Sequence, residues 1–116
     1  MSAALKEEQI DQLFYALSDS TRRRMLKQLT AGTQIVSELG QPFGISKQAV
    51  SKHLQVLESA KLISKEKDGR IQRCTINPER LQMVEEIVAE YRKFWDQQLS
   101  ALDDYIESNK KKGPKQ

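Results

Sequence analysis

The chain has 116 residues, 38% apolar and 30% charged, with a formal net charge of +3. That balance suits one soluble globular domain, and no run of about 18 apolar residues is present to span a membrane. The first residues, MSAALKEEQIDQL, lack the apolar stretch of a secretory signal, and the lone Cys74 cannot form an internal disulfide. Both features lead us to expect a cytoplasmic protein.

The charge is unevenly spread. Residues 1–42 carry five basic and five acidic groups, whereas residues 43–78 carry seven basic against three acidic. Residues 79–107 reverse the sign, with three basic and eight acidic groups, and the end 108–116 adds four lysines. A basic centre beside an acidic stretch predicts two faces with different partners, the basic one suited to a polyanion.

In chain order, residues 5–17 place Leu5, Ile10, Leu13, Phe14 and Leu17 at helical spacing among charged residues, an amphipathic helix. Ser18-Asp19-Ser20-Thr21 supplies N-cap oxygens for a second helix from Arg22 to Ala31, with Met25, Leu26 and Leu29 inward and Gly32 ending it. Ile35 to Leu39 reads as a short third helix, broken by Gly40-Gln41-Pro42-Phe43-Gly44. Ser46 opens a fourth helix, apolar at Ala49, Val50, Leu54, Leu57 and Ala60. Its other faces carry Lys47, Gln48, Ser51, Lys52 and Gln55, none of them acidic. Residues 62–76 form a hairpin about Asp68-Gly69, with Lys65, Lys67 and Arg70 expected around its tip. Asn77-Pro78 then starts a helix to residue 107, its apolar residues stepping by three or four from Leu81 to Ile106. At 1.5 Å per residue that helix is about 43 Å long. The lysine-rich end 108–116 is expected to be disordered.

This order predicts a mainly α fold with a small β-hairpin wing. It is one winged helix-turn-helix domain over 1–107, with the helix-turn-helix at 35–60 and the wing at 62–76. A major groove admits one braced helix, and a basic hairpin tip suits backbone and minor-groove contact. The fourth helix is therefore the expected reader of double-stranded DNA. The helices 5–17 and 78–107 have more apolar surface than one small domain covers, so they are expected to build a homodimer. Phe14, Leu17, Tyr91, Trp95, Leu99 and Leu102 would lie in its interface. A protein-interaction module without DNA affinity is the competing reading, disfavoured by the basic, polar reading face.

Three segments also resemble the ArsR family of winged-helix repressors: Ala16-Leu17-Ser18-Asp19-Ser20-Thr21-Arg22, Val36-Ser37-Glu38-Leu39, and Ile45 to Leu57 with its pattern Val50-Ser51-x-His53-Leu54-x-x-Leu57. The resemblance covers roughly residues 8–77. It implies a dimer that occludes promoters and is displaced by a signal. It also implies that Gln48, Ser51 and Lys52 read bases, and that Arg22 makes a phosphate contact or an internal ion pair. Two departures are mild: Ser20 stands where many relatives have Pro, and Lys61 where they usually have Gly.

The larger departure concerns metal. Metal-sensing relatives carry a Cys-x-Cys pair on the third helix or His and Asp clusters on the last one. Here the third helix has no cysteine and the last no histidine. One Cys and one His cannot build a Zn or As(III) site with conventional ligands, so no metal or cofactor is expected and a metal inducer is not supported. His53 is expected to order its helix, with a pH switch the sharper reading. Cys74 is expected to be structural rather than a thiol sensor. Tyr91, Phe94 and Trp95 fit a packing surface better than a ligand pocket. Glu85, Glu86 and Glu90 form no catalytic pair, and no nucleophile–base pair or phosphate loop suggests an enzyme. Dialysis against Zn(II), Co(II) or As(III) is expected to leave duplex affinity unaltered. One metal per chain at micromolar strength, abolished by Cys74→Ser, would refute this.

Overall fold

The computed structural model describes residues 5–112. The chain runs α1 (Glu7–Leu17), α2 (Ser20–Leu29), β1 (Gln34–Ile35), α3 (Val36–Leu39), a 3-10 turn (Gln41–Phe43), α4 (Lys47–Ser59), β2 (Ile63–Asp68), β3 (Ile71–Ile76) and α5 (Pro78–Lys112). The helix starts follow cap chemistry. The Asp19 carboxylate accepts from the Arg22 amide at 3.0 Å, and the Ser46 hydroxyl accepts from the Ala49 amide at 3.1 Å. Each side chain thus takes up an amide that the first helical turn leaves without an intrahelical partner. At α5 the Asn77 side-chain Oδ1 accepts from the Arg80 amide, and its Nδ2 donates to the Lys61 carbonyl at 2.9 Å. One asparagine thereby caps the last helix and ties it to the end of α4.

The described chain divides into two compact units, one up to Val84 and one from Glu85 onward. The first holds α1 to α4, the sheet and the first turns of α5. Its core is built on Leu13, Met25, Leu29, Leu39, Leu54, Leu57, Leu62 and Cys74, all fully buried. The second unit is the remainder of α5, a rod with no second layer of its own. The domain expected over 1–107 therefore consists of a packed winged unit and a helical rod.

Four details differ from the sequence reading. Helix α2 spans Ser20–Leu29 rather than Arg22 to Ala31, because Asp19 supplies its cap. Gln34 and Ile35 form a strand, so α3 starts at Val36 rather than at the expected Ile35; they pair with Cys74 and Arg73 in a three-stranded antiparallel sheet of order β1-β3-β2. Two residues show no alternation, so only their partner strand reveals them. The hairpin register pairs Asp68 with Ile71, so the loop is Gly69-Arg70 rather than Asp68-Gly69. Gly69, at φ 64°, takes the positive-φ first position of a two-residue loop, and Arg70 becomes part of the tip itself. Helix α5 continues to Lys112, five residues beyond the expected end. Ser108 to Lys112 contain no breaker, and lysines are favourable at a helix C-terminus. The disorder expected over 108–116 therefore does not hold for 108–112, and 113–116 lie outside the described residues.

Two backbone positions fix the brace. Lys61 ends α4 with φ 63°, where a side chain costs about 1–2 kcal/mol relative to right-handed backbone. The strain is tolerated because its amide donates to the Glu58 carbonyl and the next residue's to Leu57. Gly40 ends α3, and a Cβ there would overlap the Val50 side chain of α4. Helix α3 therefore reaches α4 through bare backbone. Gly40→Ala is expected to cost about 1–3 kcal/mol, the usual penalty of overpacking. Urea denaturation checks it, and an unchanged midpoint would refute the contact.

Candidate nucleic-acid interface

Helix α4 separates its residues cleanly. Val50, Leu54 and Leu57 are buried, while Lys47, Gln48, Ser51, Lys52 and Gln55 are all exposed. The exposed row offers two ammonium groups, two amides and a hydroxyl, able to donate and accept at base edges and phosphates. At the wing, Lys67 and Arg70 are exposed as expected. Lys65 is not at the tip. It pairs with Cys74 in mid-strand, half-buried, and its ammonium lies 3.4 Å from the Glu58 carboxylate of α4. Its charge fastens the wing to the helix instead. Arg73 is similarly engaged by Asp68 at 3.1 Å.

Between α3, the start of α4 and the wing lies a cleft of about 530 Å³. Lys47 and Ser51 line it from the helix, Arg70 and Gln72 from the wing, and Ser37 and Gln41 from the α3 side. The sequence reading had singled out Lys47, Ser51 and Arg70. It missed Ser37, Gln41 and Gln72, which no pattern marks until the fold brings them together.

Arg22 does not belong to this surface. It is only 7% exposed. Its Nε donates to the Ala16 carbonyl at 2.8 Å and Nη2 to the Tyr15 carbonyl at 2.9 Å, with the guanidinium 5.0 Å from the centre of the Tyr15 ring. Nη1 lies 3.3 Å from His53 Nδ1, which accepts because a guanidinium only donates. The expected phosphate contact is replaced by an internal role, with carbonyls and a ring nitrogen as partners rather than an ion pair. Within the fold Arg22 supplies a donor to the Ala16 carbonyl and adds to the Ser18 amide and hydroxyl already at the Tyr15 carbonyl, both near the C-terminal end of α1. His53, half-buried on α4, also stands 3.8 Å from Asp19. The Arg22 amide bonded to Asp19 holds that carboxyl below its ordinary 3.8; burial opposes this, and the charge of the Arg22 guanidinium assists.

Cys74 sits at the centre of β3 in the core, and burial pushes its thiol up to about 11 from 9.0. Such a thiol stays protonated at neutral pH and is a poor nucleophile. Among the described residues, no three His, Cys, Asp or Glu side chains are grouped to hold a metal ion, and no helix is long and apolar enough to cross a membrane.

The residues expected at a dimer interface fall on two elements. On α1, Phe14 is 36% exposed and Leu17 is half-buried. On α5, Tyr91, Trp95, Leu99 and Leu102 are all exposed, Trp95 by 58%. Phe94 meets Trp95 edge to face, with centroids 6.0 Å apart. Val88, Tyr105 and Ile106 extend the exposed apolar set along the rod.

A braced helix with a polar outer face, set beside a basic hairpin, defines a winged helix-turn-helix protein of the DNA-binding class. Comparison with known proteins narrows this. A helix-turn-helix domain family matches residues 17–66. The transcriptional repressor SdpR of Bacillus subtilis (strain 168) is 34% identical over 73 residues, 63% of this chain and 81% of SdpR. The HTH-type transcriptional regulator Rv2034 of Mycobacterium tuberculosis (strain ATCC 25618 / H37Rv) is 31% identical over 98 residues, 84% of this chain and 89% of that protein. The crystal structure of the ArsR family transcriptional regulator RHA00566 superposes with a TM-score of 0.74 at 37% identity, covering 79% of this chain and 95% of that one. The chain belongs to the ArsR family of winged helix-turn-helix transcriptional regulators.

Because the Cys74 thiol is pushed up on folding, the contribution of its neutral form to stability is complete below about pH 9. It is lost as pH rises from 9 towards 11. A thiol-reactive disulfide reagent at pH 8 is expected to label Cys74 only as the protein unfolds. Rapid stoichiometric labelling of folded protein would refute its burial.

Proposed function

We propose that the protein represses transcription as a cytoplasmic homodimer on a palindromic site in double-stranded DNA, without catalytic chemistry or a cofactor. The observation that carries this is the exposed row Lys47, Gln48, Ser51, Lys52 and Gln55, free of carboxylates, beside Lys67 and Arg70. Gln48, Ser51 and Lys52 lie mid-row and take the base edges. Lys47, Lys67 and Arg70 take phosphates and groove width. Negative residues are kept from the row, which a mere solvated helix face would not require. The protein-interaction alternative has no comparable feature on α4 to support it.

Dimerisation supplies the second half-site. A single small wing domain binds weakly, whereas two recognition helices about 34–36 Å apart read a palindrome together. The exposed set Tyr91, Trp95, Leu99 and Leu102, with Phe14 and Leu17 on α1, provides the apolar surface such an interface buries.

About five to eight phosphate contacts per dimer give a log–log slope of affinity against salt of roughly −5 to −7 in mobility-shift titrations. Lys52→Ala or Gln48→Ala is expected to relax sequence preference. Arg70→Ala is expected to weaken all sequences about equally. No effect of Arg70→Ala at low salt would remove the wing from the interface, and no duplex binding at all would favour the interaction-module reading.

Trp95→Ala is expected to cost about 3–5 kcal/mol of dimer stability. Sedimentation at micromolar concentration checks it. A wild type running at the 13.3 kDa of one chain would refute the dimer. A mutant as dimeric and stable as wild type would remove Trp95 from its centre.

A further inference from the structure

The cleft between α3, α4 and the wing is lined in two halves of opposite character. Its rim is polar and cationic. Its inner wall is aliphatic, made by Ile35, Val36, Ile45, Val50 and Ile71. Ile35 pairs with Arg73, two residues along β3 from Ile71, so both isoleucines lie on one face of the sheet. Ile71 is 42% exposed, and Ile35, Val36 and Ile45 are half-buried, so this wall is open to solvent in the free protein. The only charged residues lining the cleft are Lys47 and Arg70, and among the described residues no carboxylate lines it.

A sugar–phosphate strand makes use of the rim: two cations, the Ser51 hydroxyl and side-chain amides. It has little use for five aliphatic side chains, whose burial is favourable only against an apolar body. A volume of about 530 Å³ lies within the range of small-molecule sites, which combine mostly apolar walls with a few placed polar groups. We propose that this cleft binds a small amphipathic organic anion, its apolar body on the aliphatic wall and its charge between Lys47 and Arg70. Occupancy covers Lys47, Ser51 and Arg70, so the ligand and DNA exclude one another. Release from DNA then needs no conformational relay, because effector and duplex compete for the same side chains. This rests on the DNA reading above.

The test uses the full chain, isoleucine-methyl NMR and naphthalene-2-sulfonate as probe. One probe per chain is expected, shifting the Ile35, Ile45 and Ile71 methyl signals and leaving Ile10 and Ile106 in place. The neutral analogue 2-naphthalenemethanol is expected to bind at least about fivefold more weakly, for want of the ion contacts. Ile71→Ser, at an exposed position, is expected to weaken the probe about fivefold or more and to keep duplex binding; Val36→Thr, which preserves shape, is expected to act in the same direction. Duplex affinity of the wild type is expected to fall as probe is added. Shifts centred on Ile106, equal binding of the neutral analogue, or no effect of either variant would overturn the site. Duplex binding that persists unchanged with the cleft occupied would overturn the competition alone. Absence of duplex binding by the probe-free protein would instead overturn the DNA reading.

Discussion

The guanidinium of Arg22 lies where α1, α2 and α4 meet. From the first turn of α2 it donates to the Tyr15 and Ala16 carbonyls near the end of α1, and to His53 on α4. A buried charge without partners costs several kcal/mol, so the three contacts must form together or the group must leave the core. That condition sets the sharp turn between α1 and α2 and holds α4 by the side opposite its polar row. Asp19 completes the arrangement by capping α2 at the Arg22 amide, close enough to His53 to share its field. A residue expected to contact phosphate from its type and place in the sequence is thus engaged inside the fold, where it ties α1 to α4.

The remaining positive charge is sorted by partnership. Lys65 is drawn to Glu58 and Arg73 to Asp68, contacts that tie wing to helix and strand to strand. Lys47, Lys52, Lys67 and Arg70 stay exposed on α4 and at the hairpin tip. The effective electropositive surface is therefore smaller and better placed than the basic count of residues 43–78 suggests. Two backbone features support it: Gly40, which lets α3 lie directly on Val50, and β1, which anchors the entrance of α3 to the sheet. Helix α4 and the wing are parts of one packed unit that brings Lys47 and Arg70 to the same cleft.

That placement bears on regulation. The chain lacks the cysteine and histidine pattern by which metal-sensing relatives respond, and its one thiol is buried and held protonated. An effector that competes directly for the cleft needs none of those groups. It needs an apolar wall and two cations, and both are present where DNA is proposed to bind.

Much of this was legible in the residue order. Helix spacing, the caps Asp19, Ser46 and Asn77, the Gly69 turn and the apolar steps of α5 are local signals. Each acts over a few residues through backbone hydrogen bonding or a buried face, so each survives without knowledge of the fold. The polar row of α4 was legible for the same reason, since helical periodicity alone separates it from Val50, Leu54 and Leu57. The fates of Arg22 and Lys65, the strand at Gln34–Ile35, and the contribution of Ser37, Gln41 and Gln72 to the cleft were not legible. Those depend on which elements meet in space: Arg22 and His53 are 31 residues apart, Gln34 pairs with Cys74 on another strand, and Lys65 meets Glu58 only because the wing folds back on α4. The sequence determined which residues could carry charge to a polyanion; only tertiary packing decided which charges were consumed inside the protein, because desolvation and pairing are properties of neighbours in space.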